Sequence, residues 1–248
     1  MMNDEIINII GTMDKKHLDF TIDFETCSKS ANAAVMQVAV VPWLRDGKET
    51  PFSDEIEPYV GFVDLRTCVV EGFDFDPETV KWWASRSDGA KRAVCEDLPE
   101  PMADVLIGVL DYIRRIVEVY NLDSICLWCQ GMDFDIAILR NLCSRYDVNL
   151  EDIVPHTSFR DCRTVILEGA MIQAERLCLR HRTSIPEDNV PVPTVLPTDV
   201  FTYPSKAYVL FDPLPDRYAG GSEAHDALFD AVRSSWNTWQ ALRWIHKL

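Results

Sequence analysis

The chain has 248 residues, enough to bury a full core, and its 47% hydrophobic and 10% aromatic content excludes a disordered protein. It carries 24 basic and 40 acidic residues, and the resulting net charge of −16 by itself argues against a nucleic-acid partner. Clustered acids, however, are also how proteins bind divalent cations, and bound cations invert the local field, so composition leaves the question open.

The same features predict a cytoplasmic protein without a membrane partner. No apolar run of the sequence approaches the roughly 20 residues that a transmembrane helix needs. The first ten residues, MMNDEIINII, are acidic where a secretory signal would be basic. The eight cysteines are therefore expected to be thiols rather than a disulfide framework.

Three strands and two helices are predicted in the first half of the chain. Asp76 as N-cap and Pro77 at the first helical position predict a helix start in DPETVKWWASRS. Apolar residues at helical spacing predict a long amphipathic helix over residues 101–120. The strands are predicted at residues 17–24, 35–43 and about 56–65.

The second half begins with a predicted strand, SICLWC, followed by a helix in FDIAILRNLCSRY. A short strand before Arg163 and a helix over residues 163–179 come next. Seven of the fourteen prolines then fall between Pro186 and Pro215, which predicts a long excursion rather than a regular element. The last helix is predicted from about residue 223 to 246. This order of elements predicts a single α/β domain over residues 1–248 with a mixed sheet and a proline-rich insertion at about 181–218.

Two carboxylates lie in the predicted first strand, within the segment FTIDFETC. Side chains two apart in a strand share a face, so Asp23 and Glu25 point the same way. Asp19 shares that face, and the ordinary alternative is a half-exposed strand with a solvated side. Adjacent acids repel each other when covered, so a site there needs a compensating positive charge.

Two later segments also place acids on apolar faces. Asp135 lies at the N-terminal end of the stripe that faces the core in FDIAILRNLCSRY, and Asp133 is the better candidate for a helix cap. His225 and Asp230 are five residues apart, about 140° around a helix, and cannot both point at one spot from the same straight helix. A helix that begins after Gly220 and Gly221 would leave His225 in its first turn or in the loop before it, and Asp226 suits the helix start.

Taken in order, these segments resemble the DEDDh class of the DnaQ-like 3′–5′ exonucleases. The segments IDFET, WCQGMDFDIAIL, FRDCRT and AHDALFDA are most similar to the phage-type exonuclease A and the related bacterial 3′–5′ exoribonuclease group. The resemblance implies an RNase H-like fold, a mixed five-stranded sheet flanked by helices, and suggests a phage or prophage origin. One departure is Gly131, where many relatives carry Asn.

The resemblance also implies roles for individual residues. Asp23 and Glu25 match the first acidic motif, Asp135 matches the second, and His225 with Asp230 match the third. Thr26 matches the position that lies beside the terminal nucleotide. Arg163 and Arg160 in FRDCRT are candidates for substrate binding, with surface arginines at a helix start as the alternative. Trp82 and Trp83 are candidates for base stacking, although one of two adjacent helical tryptophans is expected in the core.

Four carboxylates fit two hard divalent cations, Mg2+ or Mn2+, and a two-metal hydrolysis of phosphodiester bonds. In this hypothesis Asp23 lies between both cations, Glu25 and Asp230 hold the one that binds the water, and Asp135 supports the other. His225 is the general base. The expected partners are 3′ ends of single-stranded DNA or 3′ overhangs, and the expected products are nucleoside 5′-monophosphates.

Three alternatives remain open from the sequence. The first is the same chemistry on RNA, because the contacts that distinguish the 2′-hydroxyl cannot be recognised in these motifs. The second is a non-catalytic protein that binds nucleic acid or another partner. The third is a thiol oxidoreductase using Cys126 and Cys129, although three residues apart in a strand these thiols face opposite sides and buried structural thiols are favoured. The oligomeric state is open, a homodimer included.

Overall fold

The computed structural model describes residues 16–95, 98–183, 192–219 and 225–246. The predicted glycine pair before the last helix and the first part of the proline-rich stretch lie outside these residues. Among the helices in the described ranges, none is long and apolar enough to cross a membrane.

The first three strands form an antiparallel meander. They are β1 (His17–Thr26), β2 (Val35–Trp43) and β3 (Tyr59–Phe62). Alternation in β1 sends Phe20, Ile22 and Phe24 into one core cluster, while the residues between them face the other side of the sheet. The strand ends two residues later than predicted, so it includes Glu25 and Thr26.

Two further strands extend the sheet in parallel with β1. They are β4 (Ser124–Cys129), which pairs with β1, and β5 (Phe159–Asp161), which pairs with β4. The sheet order is β3-β2-β1-β4-β5. The prediction of a mixed five-stranded sheet of the RNase H-like type is therefore confirmed, with β1 at its centre.

Helices cover both faces of this sheet. The long helix predicted at 101–120 is present and begins one residue later, and the helix predicted at 163–179 extends to residue 183. The helices in chain order are α1 (Leu65–Glu71), α2 (Pro77–Ala84), α3 (Asp88–Ala93), α4 (Met102–Tyr120), α5 (Ala137–Arg145), α6 (Cys162–Thr183), α7 (Pro197–Thr202), α8 (Asp216–Ala219) and α9 (Ala227–His246).

Two short helices were absent from the prediction. α1 and α3 span only seven and six residues, too few to produce a clear apolar period. Their ends nevertheless carry local signals. The Asp64 side chain caps α1, which Gly72 terminates in the left-handed conformation at φ 75°, and the Ser87 side chain caps α3.

The described part of the proline-rich stretch is more regular than predicted. It contains α7, a 3-10 helix over Pro204–Leu210, and α8. Prolines stand at the first positions of α7 and of the 3-10 helix, where the missing N–H costs nothing. These two prolines therefore mark the beginnings of short helices rather than breaks.

The two faces of the sheet carry separate cores. On one face α4 packs against β1 and β4, with Val105 and Leu106 fully buried. On the other face α6 and α9 pack together over Trp43 and Trp128. Gly169 lets these helices approach closely, because a Cβ at this position would lie 2.6 Å from the Ala241 Cβ. The second face also carries Asp23 and Glu25.

Candidate active site

The acidic face of β1 is covered by α9 and is not a solvated strand face. Asp19 is fully buried and accepts two hydrogen bonds from Arg45, at 3.0 and 2.8 Å, and one from Trp128 Nε1 at 2.6 Å. The ordinary explanation weighed for this strand, a half-exposed wet face, is therefore wrong. Towards the carboxyl end of β1, Asp23 and Glu25 are partly buried on the same side.

Asp135 approaches these two acids from the segment after β4. A single wide turn over Met132–Ile136 precedes α5, and it buries Asp135 to 3% exposure. The backbone N–H of Phe24 donates to Asp135 Oδ1 at 3.2 Å, which joins this carboxylate to β1 between Asp23 and Glu25. Asp133 is exposed and does not cap the turn, contrary to the prediction. The wide turn thus rotates Asp135 inward.

The third acid and the histidine come from the start of α9. The helix begins at Ala227, and the Asp226 side chain caps it by accepting from the backbone N–H of Leu228 at 3.1 Å. His225 therefore precedes the helix, as one of the two predicted placements requires. Its backbone has φ 73°, and its N–H donates to Asp230 Oδ2 at 3.1 Å. This bend brings residues five apart to the same point.

Glu25, His225 and Asp230 meet there. Each offers a ligand atom, and the three atoms lie within 4.8 Å of one another. Arg233, one turn along α9, binds Asp230 Oδ1 through Nη2 at 2.7 Å. One guanidinium thus offsets part of the negative charge, but it is bonded to a single member of the group.

The carboxylates raise the pKa values of one another. Burial, followed by the charges of Asp135, Glu25 and Asp230, raises the pKa of Asp23 well above its ordinary value, and Arg233 opposes this shift. Burial and the neighbouring charges of Asp230, Asp226 and Asp135 raise the pKa of Glu25 to about 8. Two carboxyls in one covered site cannot both ionise easily without a counterion.

Asp135 belongs to the same electrostatic group. Burial raises its pKa to about 7, while the Phe24 N–H and the positive charge of Arg163 act in the opposite direction. The site therefore holds its acids partly protonated near neutral pH when no cation compensates them. Carboxylate oxygens are the ligands that Mg2+ and Mn2+ prefer, so the donor set fits a divalent cation.

The two residues predicted to bind substrate lie beside this group. The Thr26 hydroxyl donates to the Ser28 carbonyl at 2.6 Å, and the Thr26 carbonyl accepts from Trp83 Nε1 at 2.9 Å. Arg163 is exposed and donates from Nη2 to the Gln130 carbonyl at 2.9 Å. Arg160 instead donates to carbonyls of its own loop, at Thr157 and Phe159.

Gly131 lies beside the Arg163 guanidinium. Its φ of 137° is one that L residues rarely adopt, and a Cβ there would lie 3.6 Å from Arg163 Nη2. A side chain at this position would therefore be strained by the backbone angle, whereas contact with the guanidinium would be of ordinary length.

The tryptophan pair of α2 borders the histidine. Trp83 is buried, as expected for one of the two, whereas Trp82 is 37% exposed. The Trp82 ring packs edge-to-face on the His225 imidazole with the centroids 4.7 Å apart, and the Arg86 guanidinium lies 4.5 Å from the Trp82 centroid. These contacts hold the imidazole from the side of α2.

Sequence reasoning missed Gln37, which positions the start of α9. Gln37 is opposite Glu25 in the β1–β2 register and is 2% exposed. Its Nε2 donates to Asp226 Oδ1 and to the Ala93 carbonyl, both at 3.1 Å, and its Oε1 accepts from the Ala227 N–H at 2.9 Å. The available signal was a single amide within the apolar run VMQVAVV. Arg233 was also missed, and nothing in its sequence context distinguishes it from a surface arginine.

The surroundings of Cys126 and Cys129 indicate a structural role for both thiols. Cys126 and Cys129 are both buried, and they belong to the cores on opposite faces of the sheet. Burial raises the pKa of the Cys129 thiol far above its ordinary value. A thiolate nucleophile is disfavoured in such surroundings.

Comparison with known proteins relates the chain to nucleases. A family model described as "3'-5' exoribonuclease Rv2179c-like domain" matches residues 18–190. Among curated proteins, an exodeoxyribonuclease of Enterobacteria phage T4 is 27% identical over 130 residues, which are 50% of this chain and 55% of the phage protein. The chain thus spans about half the length of the curated relative that it matches.

Two solved structures share a distant likeness with the chain. Exonuclease I of E. coli in complex with a dA16 oligonucleotide is 17% identical, with a TM-score of 0.44, and the match covers 92% of this chain and 41% of that one. The nuclease domain of 3'hExo, described as a DEDDh family member bound to rAMP, is 13% identical, with a TM-score of 0.47 and coverage of 93% and 92%.

Proposed function

The chain belongs to the Rv2179c-like 3'-5' exoribonuclease domain family, and on that premise we propose that it hydrolyses the 3′-terminal phosphodiester bond of a single-stranded nucleic acid. The observation that carries the proposal is the group of Glu25, His225 and Asp230, whose ligand atoms lie within 4.8 Å of one another, with Asp23 on the same strand and Asp135 bonded to the Phe24 N–H between Asp23 and Glu25. Such a group of acids is unfavourable by itself and becomes favourable when it binds cations.

The four carboxylates would hold two divalent cations, Mg2+ or Mn2+. When bound, these ions supply charge neutralisation and lower the pKa of a bound water. Asp23 is central among the acids, since Asp135, Glu25 and Asp230 all act on its pKa. Glu25 and Asp230 share their corner with His225, and Asp135 enters from the β4 side.

His225 acts as the general base. One imidazole nitrogen takes a proton from the water that attacks the scissile phosphorus, and the bond to the 3′ oxygen of the preceding nucleotide breaks. The edge-to-face contact with Trp82 and the bond from the His225 backbone N–H to Asp230 hold the ring near that water. The products are a nucleoside 5′-monophosphate and a strand that is one nucleotide shorter.

Positive side chains near the acids bind the phosphates locally, because the net charge of −16 provides no attractive field. Arg163 lowers the pKa of Asp135 and Arg233 lowers that of Asp23, so both guanidinium groups act on the site acids. Thr26 and the exposed Trp82 contact the terminal nucleotide from the opposite side. The strand is thus held by metals, two arginines and stacking rather than by a basic groove.

The family description favours RNA as the substrate, whereas the curated phage relative is described as an exodeoxyribonuclease. Both remain candidates, with single-stranded DNA or a 3′ overhang as the first and RNA as the second. The four acids and His225 serve either substrate, because the difference between the two lies at the 2′-hydroxyl.

A gel time course tests the proposal. Matched 5′-labelled single-stranded DNA and RNA are incubated with Mg2+, with Mn2+ or with a chelator. The expected result is a metal-dependent ladder that shortens from the 3′ end and disappears in Asp23→Ala, while the exposed-acid control Asp104→Ala keeps the wild-type rate. The faster substrate identifies the preferred nucleic acid. Folded protein that cleaves neither strand with either metal would refute the proposal and favour a non-catalytic binding protein.

A further inference from the structure

A cavity of about 490 Å³ lies beside the acidic group, between α9 and the described part of the proline-rich stretch. One wall is a single stripe of α9, since Phe229, Arg233 and Asn237 are four residues apart. Tyr208 and Phe211 form the facing wall. Its volume is within the range of pockets that hold small organic ligands.

The cavity is continuous with the proposed catalytic site through Arg233. This side chain binds Asp230 at 2.7 Å, and its guanidinium carbon lies 5.4 Å from the centre of the Phe229 ring, inside the cavity wall. A phosphate that contacts Arg233 therefore lies between the carboxylates and the cavity. Asp212 is the acid at the cavity edge, so a neutral group is accepted there more readily than a second phosphate.

The walls are fixed by hydrogen bonds before any ligand binds. Gln130 at the end of β4 donates from Nε2 to the Tyr208 hydroxyl at 2.7 Å and accepts from Ser234 Oγ at 2.9 Å. The backbone of Asp212 is bound in turn by Gln240 and by Trp236 Nε1. The proline-rich stretch is thereby joined to β4 and α9 around the opening.

Asn237 supplies the observation that points to a ligand. It is 6% exposed and its side chain lines the cavity, yet its amide forms no hydrogen bond with any residue in the described part of the chain. The polar atoms of this amide are not sealed in the core, so they face the cavity, where a ligand can pair with them. An amide carries both a donor and an acceptor, which is the combination that pairs with the edge of a nucleobase.

We infer that this cavity binds one nucleobase of the substrate strand, next to the scissile phosphate. The base stacks among the rings of Tyr208, Phe211 and Phe229, the Asn237 amide pairs with its edge, and Arg233 contacts the adjoining phosphate. This inference rests on the proposed function and adds a base-binding subsite built from the proline-rich stretch. Rings without strong polar preference tolerate any base, and the amide favours bases that present a donor next to an acceptor.

Binding in a chelator tests the subsite without hydrolysis. Fluorescence anisotropy measures Kd for a ten-nucleotide strand that is intact or carries one abasic site at each of the last four positions in turn. In the wild-type protein, one abasic position is expected to weaken binding about 5- to 150-fold, the range for loss of one stacked base. Asn237→Leu, similar in shape, is expected to weaken binding of the intact strand and to remove most of the further loss at that same position.

Matched controls separate recognition from folding. Phe201→Ala removes an 80% exposed ring from the same stretch, outside the cavity, and is expected to keep the wild-type sensitivity to the abasic site. The melting temperature of Asn237→Leu is expected to equal or exceed that of the wild type, because the amide contributes no internal hydrogen bond. Strictly additive effects of the variant and the abasic site, or equal binding of every strand, would overturn the subsite.

Failure of the subsite is distinguishable from failure of the proposed function. If the gel assay gives a 3′–5′ ladder while Asn237→Leu binds every strand as the wild type does, the function stands and the subsite is wrong. If no ladder forms, but Asn237→Leu still removes the loss of affinity at one abasic position, the subsite is correct and the protein binds nucleic acid without cleaving it. Absence of any strand binding overturns the subsite directly.

Discussion

At the scale of single residues, the site is dominated by repulsion between acids that the fold forces together. Glu25 has a pKa raised to about 8 and Asp135 one raised to about 7, and burial is the first cause in both cases. Asp23 lies among all the others and is raised as well. The metal-free site is therefore locally destabilising, and its cost is recovered when cations bind.

Asp23→Asn is expected to raise the melting temperature of the metal-free protein by a few °C at alkaline pH, where the carboxyls ionise and removal of one charge relieves the repulsion. Differential scanning calorimetry in a chelator measures this change, and the gel assay should find the variant inactive. The same scan with Mn2+ is expected to stabilise the wild type more than the variant. A lower melting temperature of the variant in the chelator would mean that the carboxylate is stabilised within the chain.

His225→Ala is expected to lower kcat by about 10²–10⁴-fold, the usual contribution of a general base. Single-turnover hydrolysis of a labelled strand measures the effect, and strand affinity in a chelator should change far less. His156→Ala is the matched control, because His156 is exposed on a separate 3-10 turn. A loss below about fivefold would assign the proton transfer to another group.

At the scale of secondary structure elements, the site depends on how the beginning of α9 is attached to the sheet. Asp226 caps the helix, and Gln37 binds both the Asp226 carboxylate and the Ala227 N–H from β2. Asp230 lies one turn further, and its backbone N–H bonds to the Asp226 carbonyl at 2.9 Å. A displacement of this helix end moves Asp230 and His225 together.

Gln37→Leu is expected to reduce the free energy of unfolding by roughly 1–3 kcal/mol, because it leaves buried polar partners unsatisfied. It should also lower kcat at least tenfold, since a small misplacement of catalytic groups has a large effect on rate. Urea unfolding and single-turnover kinetics measure the two effects. Gln173→Leu, on the partly buried side of α6, is the control expected to leave the rate unchanged. A stability loss with an unaltered rate would limit Gln37 to a structural role.

At the scale of the whole molecule, the raised pKa values of the acids make the stability of the fold depend on pH. A carboxyl whose pKa is higher in the folded than in the unfolded state stabilises the fold below the unfolded value, and this stability is lost as pH rises through the folded value. Glu25 and Asp135 place that loss between about pH 4 and 8. His17, whose pKa is raised to about 9 chiefly by the neighbouring Asp19 carboxylate, with Asp19 Oδ1 3.3 Å from His17 Nε2, adds a loss above pH 6.5.

The melting temperature of the metal-free protein is therefore expected to fall between pH 5 and pH 8. Saturating Mn2+ should flatten this profile, because bound cations keep the carboxylates ionised, and the slope that remains above pH 6.5 belongs to His17. The double variant Glu25→Gln, Asp135→Asn should give a similarly flat profile in a chelator. A metal-free wild type whose melting temperature rises across this interval would contradict the raised pKa values.

The sequence by itself determined the elements that local patterns encode. The apolar alternation of β1, the continuous apolar run of β2, the helical period of residues 102–120 and the Asp76–Pro77 start of α2 are present as predicted, because each is a local pattern of burial or capping. The ordered motifs likewise identified Asp23, Glu25, Asp135, His225 and Asp230 as one candidate group, and the structure brings these residues together.

Only the tertiary structure decided what surrounds that group. The bend at His225, the attachment of α9 through Gln37 and the cavity around Asn237 each join residues more than a hundred positions apart or depend on a backbone angle that no periodicity reports. The burial of Asp19 against Arg45 is of the same kind, since a strand pattern gives a face but not its covering. Sequence patterns record which side of an element is buried, and packing between elements decides which polar groups meet there.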